Sequence, residues 1–155
     1  MSRVQLALRV SDLDGSIAFY AKLFGAEPAK VRPGYANFAI DAPPLKLVLI
    51  EGEPGQPTVM DHLGVEVFSS DEVSAATTRL SDAGLITRSE EDTACCYAVQ
   101  DKVWVHGPGD EPWEVYMVKA DANQLDMEAD SACCASPGDD LISIGSTNAA
   151  GCACG

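Results

Sequence analysis

The 155 residues are enough for one domain and a tail, and a hydrophobic content of 46% suits a soluble fold with a packed core. With 24 acidic residues against 10 Lys and Arg, the formal charge of −14 repels phosphate, which excludes nucleic acid and an anionic membrane surface as partners. No run approaches the roughly 18 apolar residues of a membrane span.

The N-terminal stretch MSRVQLALRVSDLDGS is too short and too interrupted for a secretory signal, so a cytoplasmic protein with reduced thiols is expected. Val4, Leu6, Leu8 and Val10 alternate with Gln5, Ala7 and Arg9, which predicts a half-buried strand. Ser11 and Asp12 open a helix whose apolar face is Leu13, Ile17, Tyr20 and Phe24, and Gly25 closes it. Strands follow at about 36–40 and 45–50, preceded by a short one near 28–31. The same order then returns: a strand over 62–68, a helix over 71–83 stopped by Gly84, and strands over 103–106 and 113–118.

The two halves align. Gln5–Val10 lies over His62–Val67 at an offset of 57, and Leu45-Lys46-Leu47 lies over Trp113-Glu114-Val115 at 68. The second module therefore carries extra residues, six of them in the stretch holding Cys95-Cys96, where a mobile binding loop is expected. The fold class read from this duplication is α+β: two tandem βαβββ modules, about 1–53 and 60–119, sharing a cleft. Residues 120–155 lack periodicity and carry six acids and no Lys or Arg, so they are expected to be a disordered tail.

Six cysteines in a reducing compartment need a reason other than disulfides. They fall as Cys95-Cys96, Cys133-Cys134 and Cys152-Ala-Cys154, a pairing that points to soft-metal or metalloid binding. Strand parity sets Gln5 and His62 opposite the apolar faces of their strands, at equivalent points of the duplication, and Glu114 on the last strand. The counterpart of Glu114 in the first module is Lys46. A histidine, a carboxylate and an amide meeting in the cleft would leave open positions, which suits Fe(II). His106, the other histidine, competes for that role, and His62 at a strand start also fits a purely structural part.

Tyr35–Ile40 with Pro43–Leu49, Asp61–Val67, Cys95–Val105 and Trp113–Tyr116 together resemble the organoarsenical C–As lyases and the related cadmium-induced proteins. Both groups are part of the vicinal-oxygen-chelate superfamily, with the glyoxalases and type I extradiol dioxygenases. The likeness spans residues 1–118, and its most specific part is the cysteine pair followed by Gln-Asp-Lys-x-Trp-Val. The resemblance implies a vicinal-oxygen-chelate cleft in which His62, Glu114 and Gln5 ligate Fe(II), Gln5 standing where most relatives have His. It implies that Cys95 and Cys96 hold the arsenic of a small organoarsenical substrate, with O2 as co-substrate and Lys102 as an accessory that favours the thiolate. The alternative is a non-catalytic cadmium- or arsenite-binding protein. The tail cysteines would scavenge metalloid or stay passive, and the chain would be a monomer or homodimer.

Overall fold

The structure is a computed structural model that describes residues 2–122. The tail past residue 122, with Cys133, Cys134, Cys152 and Cys154, lies outside the described residues. The first module runs β1 (Arg3–Val10), α1 (Leu13–Phe24), β2 (Lys30–Arg32), β3 (Tyr35–Ile40) and β4 (Leu45–Glu51). The second runs β5 (Val59–Glu66), α2 (Ser70–Asp82), β6 (Arg88–Cys95), β7 (Ala98–His106) and β8 (Pro112–Asp121). No helix among the described residues is long and apolar enough to cross a membrane.

All eight strands form one mixed sheet in the order β2-β3-β4-β1-β5-β8-β7-β6, curled into a half-barrel. The order reads the same outward from the β1–β5 seam in both directions, which is the duplication seen in space. At that antiparallel seam Gln5 pairs with Gly64 and Ala7 with His62, so a pseudo-twofold axis passes between the two pairs. It exchanges Gln5 with His62, as the offset of 57 requires.

Each helix starts on its own chemistry. Asp12 caps α1 by accepting from the Gly15 N–H at 2.9 Å, and Gly25 ends it in the left-handed region at φ 62°. Ser69 caps α2 by accepting from the Glu72 N–H, while Glu72 reaches back to the Phe68 N–H. Both helices cover the convex face of the sheet. There Val10, Ala36, Phe38, Leu47 and Leu49 pack with Leu13, Ile17 and Tyr20 of α1. Val67, Val73, Ala76, Leu80 and Val103 form the matching cluster under α2.

Three sequence expectations change. The extra residues before the cysteine pair lengthen an edge strand, β6 having eight residues where β2 has three, so no loop precedes the pair. The last strand runs on to Asp121, because Ala120 and Asp121 pair with Val99 and Ala98, which moves the start of the expected tail. The third concerns register. Gln5 lies beside Lys46, yet Glu114 lies beside Gly64, whose counterpart Ala7 lies beside Val48. The second hairpin has thus slipped by two residues, and an even slip keeps every side chain on its face.

Candidate metal and thiol site

The concave face encloses a cavity of about 280 Å³. Buried polar side chains are costly unless they are partnered, and here they gather at one place. Gln5, Asn37, His62, Glu66, Gln100, Lys102 and Glu114 are all buried and all line this cavity; among the described residues Asp101 alone of the buried polar side chains does not. Cys95 and Cys96 line it too.

Glycine at position 64 makes the centre possible. Gly64 lies between Gln5 on β1 and Glu114 on β8, and a Cβ there would stand 3.1 Å from Glu114 Cγ and 3.4 Å from Gln5 Cβ. Over that gap Gln5 Nε2 donates to Glu114 Oε1 at 2.7 Å and stands 2.9 Å from His62 Nε2. His62 Nε2 and Glu114 Oε1 are 3.4 Å apart. Donors bound about 2.1 Å from a divalent ion are spaced about 3.0 Å at right angles and about 3.4 Å in a tetrahedron. The three side chains fit such an ion as a facial set, with the amide turned so that its oxygen faces inward. Among the described residues no group of three or more His, Cys, Asp or Glu side chains could hold a metal ion, and the third side chain beside His62 and Glu114 is an amide.

The imidazole is oriented from behind. Strand alternation would put Asp61 and His62 on opposite faces, but a bulge in β5 opposite Ala7 and Leu8 inserts Asp61 as the extra residue. Asp61 Oδ1 then meets His62 Nδ1 at 2.7 Å, and Arg9 Nε holds the other carboxylate oxygen at 2.6 Å. A proton kept on Nδ1 leaves the Nε2 lone pair facing the cavity. Glu114 is steadied by Lys102, whose ammonium stands 3.3 Å from Oε2 and 5.3 Å from the centroid of the Trp104 ring. Tyr116 donates its hydroxyl to Gln5 Oε1. Burial, with the Glu114 charge adding to it, pushes that phenol well above its ordinary 10.0 and keeps it protonated.

The thiols sit at a tight turn. Cys95 pairs with Ala98, and the two residues between them, Cys96 and Tyr97, both have positive φ, at 55° and 61°. A two-residue turn of that kind favours Asn and Gly, so a cysteine and a tyrosine here are held by their surroundings. Tyr97 is anchored in the first module: its hydroxyl donates to the Pro33 carbonyl at 3.0 Å and its ring lies 5.8 Å from that of Tyr35. The two sulfurs stand 3.1 Å apart, beyond the roughly 2.05 Å of a disulfide. Trp104 links the two parts of the site, forming one buried cluster with Cys95, against which Cys96 packs, and meeting the His62 ring edge-on with centroids 5.5 Å apart.

A model described as the Glyoxalase/Bleomycin resistance protein/Dioxygenase superfamily matches residues 3–115. The chain belongs to this superfamily. One relative is the trivalent organoarsenical cleaving enzyme of Thermomonospora curvata, 69% identical over 134 residues that cover 86% of this chain and 89% of that one. Another is the cadmium-induced protein CadI of Mycobacterium tuberculosis, 63% identical over 122 residues, or 79% of this chain and 80% of that one. The superfamily fold also appears in an extradiol ring-cleaving dioxygenase from B. fuscum, with a TM-score of 0.55 and 20% identity over 79% of this chain and 34% of that one. That last likeness speaks for the fold alone.

The structure brings together Gln5, His62, Glu114, Lys102, Cys95 and Cys96 around one cavity. His106 is left out: it is exposed at the end of β7, paired with Asp110 at 3.0 Å. Sequence reasoning missed Gly64, Asp61, Trp104 and Tyr116 as parts of the site. The duplication carried a signal for the first of these, since Gly64 matches Ala7, and small residues at both points leave room at the seam.

Proposed function

We propose that this chain cleaves the carbon–arsenic bond of trivalent organoarsenicals, methyl or aromatic, to inorganic arsenite in arsenic detoxification. In this reading Fe(II) is the cofactor, held by His62, Glu114 and Gln5, and O2 is the co-substrate. The observation that carries it is a vicinal thiol pair and a histidine–carboxylate–amide set on one cavity, joined through Trp104. The name of the relative at 69% identity supports the choice of substrate.

Trivalent arsenic is thiophilic, and Cys95 and Cys96 chelate it as thiolates, leaving the organic substituent to project into the cavity. When bound, the iron supplies activation of dioxygen, which suits a site whose protein donors fill one face. His62 presents a lone pair because Asp61 keeps its proton on the far nitrogen. Lys102 balances the charge of the Glu114 carboxylate while no metal is bound. The side chains then act mainly by positioning: the turn fixes the arsenic and the buried walls keep bulk water from the reacting bond. The protein works in the cytoplasm as a monomer or homodimer.

A second reading, sequestration of cadmium or arsenite without catalysis, rests on the same sulfur pair at 3.1 Å. Arsenite release from methylarsenite, measured with Fe(II) in air and again under nitrogen, separates the two. Release only in air is expected. Binding without release under both conditions would favour sequestration.

A further inference from the structure

The weakest donor of the proposed metal set is the amide, and its orientation decides whether it can bind a cation at all. Gln5 Nε2 faces His62 and Glu114, and Gln5 Oε1 faces Tyr116. Only a carboxamide oxygen offers a lone pair to a metal; the nitrogen carries two N–H donors and has none to give. Half a turn of the amide about its last torsion exchanges the two. The group behind Gln5 must then accept a hydrogen bond where it had donated one. A phenol can do both.

We infer that Tyr116 is the positioning residue for Gln5, holding the carboxamide plane on the His62–Glu114 pair in either orientation and so making the amide usable as a metal donor. Tyr116 is well placed for this. It is on β8 two residues beyond Glu114, so strand alternation puts both side chains on the concave face. It is almost fully buried, at 1% exposure, so water does not compete for the Gln5 oxygen. Lys46, 5.9 Å over the phenol ring, and Glu66, which bonds Lys46 at 2.8 Å, keep the ring from turning away. An imidazole at position 5 would depend less on that phenol, since its inward nitrogen becomes a donor by moving a proton to the other ring nitrogen, with no half-turn of the side chain. The glutamine and the tyrosine therefore work as a unit.

This inference rests on Gln5 being a metal donor, and the experiment separates the two ideas. Fe(II) is titrated anaerobically into the full chain and competed with a chelator, with Co(II) absorption as a second readout of donor geometry. Four variants are compared with wild type: Gln5→Ala, Tyr116→Phe, Gln5→His, and Gln5→His with Tyr116→Phe. Removing a partner that orients a metal ligand typically weakens binding about 10–100-fold, which is the loss expected for Tyr116→Phe. In the Gln5→His background the same change should cost less than about threefold, because the coupling runs through the amide. An equal loss in both backgrounds would mean that Tyr116 only supports the fold, and the inference would be wrong. No loss in Tyr116→Phe alongside a clear loss in Gln5→Ala would also overturn it. If Gln5→Ala binds Fe(II) like wild type, the donor set itself fails and the inference falls with it.

Discussion

Lys102 and Glu114 form an ion pair with relative side-chain exposures of 1% and 3%, and removing one charge should expose how the other is held. At 3.3 Å and an effective dielectric of about 20, their attraction is about 5 kcal/mol before desolvation is counted. Removing one partner of such a pair typically costs about 3–5 kcal/mol, because a buried charge is left behind. Glu114 keeps the Gln5 N–H at 2.7 Å, so the lower end applies to Lys102→Met. A loss of about 3 kcal/mol corresponds to a melting temperature lower by roughly 6–12 °C in a chain of this size. The sign should reverse for metal. Lys102 competes for the carboxylate that the ion needs, so Lys102→Met should bind Fe(II) more tightly than wild type, and anaerobic Fe(II) should restore most of the lost stability. Thermal melts with chelator and with Fe(II) measure both effects. A loss below about 1 kcal/mol, or weaker Fe(II) binding, would refute the reasoning.

Gly64→Ala should push Glu114, whose Cγ would lie 3.1 Å from the new Cβ; we expect a cost of about 1–3 kcal/mol and lower iron retention, read by melts and metal analysis. Burial alone would raise the Glu66 pKa, but Lys46 and Arg3 outweigh it and hold the carboxyl below its ordinary 4.5. Its contribution is therefore present above pH 4.5 and lost as pH falls through the lowered folded value; Glu66→Gln should flatten that acid limb in urea midpoints taken from about pH 7 to 3. His106→Ala should change stability by less than about 0.5 kcal/mol and leave iron content unchanged, since the ring is exposed beside Asp110. A drop in iron content there would make His106 the better ligand.

The elements legible in the sequence were those with strong alternation or helical spacing. β1 and β5 showed their two faces because Leu6 and Leu8, and Leu63 and Val65, alternate with polar or small residues, and the duplication predicted that Gln5 and His62 would meet. β6 was missed because RSEEDTAC is an exposed edge strand, polar on both faces over most of its length, and charge on an edge hides the strand pattern. Other features depend on pairing between distant strands, which one-dimensional spacing does not contain. The bulge that turns Asp61 toward His62 and the slip that sets Glu114 beside Gly64 are of this kind. Tyr116 was part of a recognised motif, but its partnership with Gln5 spans 111 residues.

In the proposed function arsenic is held by the thiols and iron by His62, Glu114 and Gln5, so capture and chemistry should break independently. The direct measurement is the arsenic and iron content of purified Cys95→Ser/Cys96→Ser and His62→Ala variants, loaded with methylarsenite and Fe(II), alongside arsenite release in air. The double cysteine variant should fold, keep iron, lose bound arsenic and release no arsenite. His62→Ala should keep arsenic and lose both iron and release. Near-normal arsenite release from the double cysteine variant would contradict the account.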